Sequence, residues 1–419
     1  MRISKALSLA TVSTFALSSF LISDANAAGF YLQEQSVSGL GNAFAGQVAT
    51  PRDSSIVYFN PAGMAKLKGS HSNFGFHILA PSSDITNTGT TIPFGGATGG
   101  DGGNPYTATP IPNGSFSHES IEDKLWIGLA VSAPFGLENE YNDGWFGRFD
   151  STKTRLTTID IQPSFAVKLN DALSIGGGLN IQYVDADLQK IVNFTGPGGE
   201  VSSALNGDDM SFGYNVGLLY EPIEGTTLGA HYRSGVHHDL EGRVIVTGVA
   251  NTPATAELDL PEIVQLGINH RVNDKLSVMA GATWFGWNSF EEIRVISALP
   301  ASVTTQNYQT TWAFAVGAEY EYNDKWTLRA GYQFDETPTT DEYRTTLTPD
   351  GDRNWISTGA TYKFNDQISL DMAATYIDIA KETINVARNV TANPATTANV
   401  RADSEGEVGI LSFAVSYKF

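Results

Sequence analysis

Along most of this chain apolar residues recur at every second position, the period at which side chains of an extended strand fall on one face. In the C-terminal run Gly409, Leu411, Phe413, Val415, Tyr417 and Phe419 share one face, and Ser412, Ser416 and Lys418 share the other. The same period groups Ile159, Ile161, Phe165, Val167 and Leu169, then Leu173, Ile175, Leu179, Ile181 and Tyr183. It returns in Phe212–Tyr220, Trp312–Tyr320, Trp326–Phe334 and Ile368–Tyr376. Strands with one apolar face, and aromatics gathered next to their turns, are what a wall between lipid and a lumen requires. The pattern predicts an all-β fold, a transmembrane antiparallel β-barrel.

Turn chemistry sets the strand number. Asn170-Asp171, Asn273-Asp274, Asn323-Asp324 and Asn365-Asp366 each lie between two alternating runs. Asn and Asp tolerate the positive φ of two-residue hairpins. Glu122-Asp123 and the stretch from Glu221 to Gly225 read as further short turns. Six such turns join twelve strands; one near 71–80 and one near 407–419 bring the count to about fourteen. Seven longer polar segments separate the hairpins, roughly 81–111, 137–153, 189–208, 242–253, 288–306, 336–352 and 380–405. Long connections on one side and short turns on the other place the long ones outside the cell.

Two segments break the alternation. Residues 1–27 carry Arg2 and Lys5, then a mostly apolar run, then Ala25-Asn26-Ala27, which reads as a secretory signal with its cleavage site. Residues 28–70 have no strict period, yet Phe30, Tyr31, Leu32, Phe44, Ile56, Val57, Tyr58 and Phe59 are too apolar for a solvated tail. They read as a plug inside the barrel, with residues 71–419 forming the wall.

Charge and composition narrow the function. A formal charge of −20 leaves no cationic surface for nucleic acid. The absence of cysteine excludes disulfides and thiol chemistry. His237 and His238 are adjacent on a strand, point to opposite faces and cannot share a metal. Gly39-Leu40-Gly41 and Gly176-Gly177-Gly178 lack the Lys-Ser/Thr of a phosphate loop. No enzyme and no cofactor are expected.

The stretch Ala28-Gly29-Phe30-Tyr31-Leu32-Gln33-Glu34-Gln35-Ser36 continues through Gly39 to Gly46 and on to Asn60-Pro61-Ala62-Gly63-Met64. It resembles the N-terminal hatch of the FadL/TodX family of outer-membrane transporters. The likeness continues in Pro134-Phe135-Gly136-Leu137, in Leu258, Leu260, Pro261 and Glu262, and from Trp284 to Phe290. What the resemblance implies is a monomeric fourteen-stranded barrel in the bacterial outer membrane, closed by the hatch. Ligand is captured in an apolar extracellular groove and held in an internal pocket. A hatch movement then releases it sideways into the lipid where the third strand kinks. Long-chain fatty acids are the first expectation; aromatic or alkane hydrocarbons, or a general aqueous porin, are the alternatives.

Candidate residues follow. The third strand runs from Leu125 to Ala133, and Pro134, Phe135 and Gly136 then interrupt it, as a gate or as an ordinary strand end. Trp145, Phe146 and Phe149 form an aromatic cluster in the next loop, either a greasy landing groove or loops packed on each other. On the fifth strand Val184, Leu188 and Lys190 share the lumen phase. Lys190 lies where family members carry a basic residue toward the ligand head group, with snorkelling at the membrane rim as its other role. The family's second basic position is Gln309 here. On the family pattern Phe30 reaches into the pocket, while Asn60, Pro61 and Ala62 hold the hatch.

Overall fold

A computed structural model of the chain describes residues 29–93, 98–193, 199–390 and 396–419. The expected export signal, residues 1–27, lies outside them. Among the described residues nineteen strand segments pair antiparallel in a single closed sheet, the first segment bonding to the last from His71↔Lys418 to Asn87↔Ala402. Five of the strands continue across a break, so the ring has fourteen. The first is Ser70–Asn87, the second Thr109–Ile121, and the third is Leu125–Ser132 resuming as Gly136–Glu140. The fourth, fifth and sixth are Lys153–Lys168, Leu173–Asn193 and Glu200–Ile223. The seventh joins Thr226–Arg233 to Val236–Val246, the eighth Ala250–Leu260 to Ile263–Arg271. The ninth joins Leu276–Phe285 to Glu292–Ser297, the tenth Ser302–Thr305 to Thr311–Glu321. Trp326–Asp335, Arg353–Lys363, Ile368–Asn389 and Thr397–Lys418 complete the ring.

All six expected short turns are present, but four of them use a different device. The Asn-Asp backbones do not enter the left-handed region; among the six, Asp123 and Gly225 do. Instead the side chains of Asn273, Asn323 and Asn365 each accept two backbone N–H groups of the following residues, and Asn170 accepts one. Asparagine is selected there for its side-chain acceptor.

Several segments expected as loops are ladder. The fifth and sixth strands stay paired out to Asn193↔Glu200, and the thirteenth and fourteenth out to Asn389↔Thr397. At about 3.3 Å per residue such strands exceed 60 Å, far more than the apolar band of a bilayer needs even when tilted. They build a wall that stands beyond the membrane. Polarity concealed this: a strand outside the lipid needs no apolar outer face.

The alternation has its expected consequence. Phe165, Leu179, Phe212, Val216, Phe314, Val316, Leu411 and Phe413 are exposed on the outer surface, a belt that only lipid covers at no cost. His238 is buried and bonds Asp209 and Gln182, while His237 points outward to Asp259 and Asp239. The inner face is polar where it meets the N-terminal segment: Arg233 reaches Asp160, Gln162 and the Tyr58 carbonyl.

Residues 29–69 lie inside the ring, nearly all buried up to Met64. Ser36 accepts from the Gly39 N–H and starts a single turn, Val37–Leu40. Asn60 does the same for Pro61–Lys66, with proline in its favoured first-turn place. The segment touches strands on every side because the wall offers glycine there. A Cβ on Gly331 would stand 2.1 Å from the Asn42 carbonyl oxygen, and one on Gly217 2.0 Å from Asn60 Oδ1. Gly331→Ala is expected to cost about 1–3 kcal/mol through overpacking and to loosen the segment. A lower folded yield on refolding into vesicles, with faster proteolysis near residue 42, is the check.

Candidate functional site

The third strand loses its neighbour at the break. Its pairing with the second strand ends at Gly114↔Val131, although the second strand continues to Thr109 against the first. The fourth strand holds both halves, through Ser132↔Asp160 and Gly136↔Thr157. Proline removes one ladder donor, and the ladder between strands two and three stops short, leaving a gap.

Residues 30–35 of the N-terminal segment occupy that gap. The Leu32 N–H donates to the Pro134 carbonyl at 2.8 Å, and the Gly136 N–H donates to the Phe30 carbonyl at 2.9 Å. Tyr31 and Phe135 stand opposite each other as an antiparallel bridge. The Gln35 amide closes the row, donating to the Ala133 carbonyl at 2.8 Å and accepting its N–H at 3.3 Å. From the other side Asn113 of the second strand donates to the Glu34 carbonyl at 3.3 Å. The polar groups that a regular wall would have satisfied with the second strand are satisfied by this segment.

Directly beside the seam is a narrow apolar cavity of about 70 Å³, which a bound chain would have to widen. Leu137, Leu156, Ala186, Leu188, Leu240, Ala256, Leu258 and Phe290 line it together with Phe30. The Phe30 ring packs edge-on against Trp287 at 4.7 Å, Phe290 at 5.4 Å and Phe135 at 6.1 Å. Phe30 therefore belongs to both structures: its ring lines the cavity and its carbonyl seals the break. Tyr31 lies behind it, hydroxyl to hydroxyl with Tyr58 at 3.4 Å, and burial pushes its phenol well up, so it stays neutral.

The family described as "Outer membrane protein transport protein (OMPP1/FadL/TodX)" matches residues 18–419. This chain belongs to that family. It is 29% identical over 416 residues to the long-chain fatty acid transport protein of Escherichia coli O157:H7, covering 88% of this chain and 92% of that one. A crystal structure of a Pseudomonas aeruginosa FadL homologue superposes with a TM-score of 0.87, at 25% identity over 94% of this chain and 100% of that chain. The Ralstonia pickettii toluene transporter TbuX shares the fold at a TM-score of 0.69 and 19% identity, over 91% and 97% of the two chains. As a FadL/TodX-family member the chain is an outer-membrane transport protein and not an enzyme.

Of the candidate residues in this FadL/TodX-family barrel, Phe30 and Leu188 line the cavity, and Val184 packs fully buried in the apolar cluster around it. Asn60 donates to the Val48 and Leu218 carbonyls and accepts the Ala62 N–H, while the Ala62 carbonyl takes the Ser174 hydroxyl. With Pro61 these residues pin the segment to strands five and six. Lys190 is half-buried and outside the cavity lining, near Asp150 and Arg388, which are paired to each other at 2.6 Å.

The exposed aromatic groove is not observed. Trp145, Phe146 and Phe149 are buried. Trp145 stacks on Tyr141 at 3.8 Å and donates its indole N–H to the Ser151 carbonyl. Phe146 packs with Ile85, Ile384 and Val400, and Phe149 with Val390 and Ala398. These aromatics form the core of the folded long loops. Four residues were missed: Trp287 and Tyr308, whose rings stand 4.7 and 6.4 Å from that of Phe30, Gln35 at the break, and Arg353, the cation near Glu34. Trp287 and Gln35 lie in segments that carried the family resemblance; Tyr308 and Arg353 have no local signature, because their partners are distant in sequence.

Proposed function

We propose that the protein carries hydrophobic compounds passively across the outer membrane, long-chain fatty acids foremost. The observation that carries the reading is the double role of Phe30. A chain entering the cavity competes with its ring for the aromatic cluster, and the backbone that moves with that ring is the backbone sealing the break. Residues 28–70 are thus a hatch, Pro134, Phe135 and Gly136 a gate, and the route leads from cavity to bilayer with no energy source and no cofactor. The named E. coli relative, a fatty-acid transporter over most of its length, supports the substrate class.

Lys190 is the head-group cation in this reading. It follows Leu188 on the same face, about 7 Å further along the strand, so a chain lying on Leu188 and Val184 brings its carboxylate toward the ammonium. A lost charged hydrogen bond is worth about 1.5–3 kcal/mol, so Lys190→Ala should weaken oleate binding by about ten- to a hundredfold in calorimetry. An unchanged affinity removes Lys190 from the site. One observation favours a second reading, uptake of neutral hydrocarbons. Arg155, the cation among the described lining residues, is paired to Asp185, which leaves the cavity wall without an available cation. Toluene binding that exceeds oleate binding, and ignores Lys190→Ala, would establish that alternative.

A further inference from the structure

At the seam stands a group that transport does not use. Glu34 lies within the sealing run Phe30–Gln35, its side chain is fully buried, and neither carboxylate oxygen makes a hydrogen bond of normal geometry. Arg353 of the twelfth strand faces it, but that guanidinium bonds Asp350 through one terminal nitrogen and leaves its other two nitrogens unbonded, while the second Asp350 oxygen accepts the Gly29 N–H. Asp335 of the eleventh strand is buried nearby with both oxygens likewise unbonded. Tyr31 and Tyr58 approach from the segment itself. On the second-strand side stands Asn113, which His77 of the first strand contacts at 2.8 Å. Three carboxylates thus share one cation in a site closed to solvent, and one of the three is carried by the movable element.

We propose that Glu34 makes the seal at the third-strand break proton-dependent: protonated, it lets residues 30–35 lie in the seam; ionised, it drives them out. The proposal rests on the reading of that segment as a hatch. Burial pushes the Glu34 carboxyl from 4.5 up to about 7, against smaller opposing effects of nearby backbone N–H groups and Arg353. The group binds its proton more tightly when sealed than when released. Protonation therefore favours the sealed state at low pH, and that advantage is lost as pH rises through about 7.

The cysteine-free chain permits a direct test. Gln33→Cys places a thiol in the seam at a buried side chain whose amide nitrogen has no partner. Maleimide labelling is followed from pH 5.5 to 8.5 in vesicles, in backgrounds carrying Glu34 or Glu34→Gln, so that the thiol's own titration cancels in the ratio. The ratio of labelling rates, Glu34 over Glu34→Gln, is expected to rise at least tenfold between pH 5.5 and pH 8.5. A ratio flat with pH, or no labelling in either background, overturns the proposal. So does a pH response that survives Glu34→Gln and vanishes in Asp335→Asn. Oleate uptake is measured on the same vesicles: divergent labelling with uptake indifferent to pH keeps the proton-dependent seal and removes the hatch from the transport path.

Discussion

Oxidation of a Tyr31→Cys/Phe135→Cys double variant is expected to reduce oleate uptake at least tenfold, with recovery on adding reductant. The two residues oppose each other across an isolated antiparallel bridge between the N-terminal segment and the break. Directly opposed residues of that kind have Cα atoms about 4.5–5.5 Å apart, inside the span of an unstrained disulfide. No other cysteine can compete. The bond would fix the backbone at the centre of the row formed by the Phe30, Leu32, Pro134 and Gly136 amides and carbonyls, whose hydrogen bonds are each worth about 1 kcal/mol and open thermally. Loss of the two rings also removes contacts with Phe285 and Trp287, so the reduced double variant, not the wild type, is the reference. Equal uptake in the oxidised and reduced forms would show that ligand leaves without opening this seam, and the break would become a structural bulge.

Much of the wall was legible from side-chain period alone, because lipid outside and a lumen inside impose alternation on each strand crossing the bilayer. Leu411, Phe413 and Val415 could be oriented without any knowledge of their partners. Where that constraint ends, legibility ends with it. Beyond the membrane the fifth, sixth, thirteenth and fourteenth strands keep pairing with no apolar outer face to announce it. The aromatics Trp145, Phe146 and Phe149 suggested an exposed surface, but what they do depends on Ile384 and Val400, more than 200 residues away in the sequence. The site was half visible. Phe30, Asn60 and the Pro134–Gly136 break could be named, whereas Gln35 acts on Ala133 across 98 residues and looks like any polar residue in its own segment.

Arg353 is the clearest case of a residue whose importance no local pattern reveals, and its loss should be severe. It is 1% exposed, contacts Asp350 and is the cation facing both Glu34 and Asp335. Removing one member of a buried charged cluster leaves the others uncompensated and costs about 3–5 kcal/mol, more than the cluster contributes when intact. Arg353→Met keeps most of the aliphatic stem, so the loss reads out charge and not volume. A urea titration of folding into vesicles at pH 8 should show that decrement. It should shrink on acidification, because Glu34 sheds its charge as pH falls below about 7. Glu34→Gln in the same background should restore about 1–3 kcal/mol, the coupling expected of charges in one network. If Arg353→Met is instead as stable as wild type at pH 8, the three carboxylates are not ionised together in the folded barrel. In that case the protons they retain, and not the arginine, hold the N-terminal segment in place.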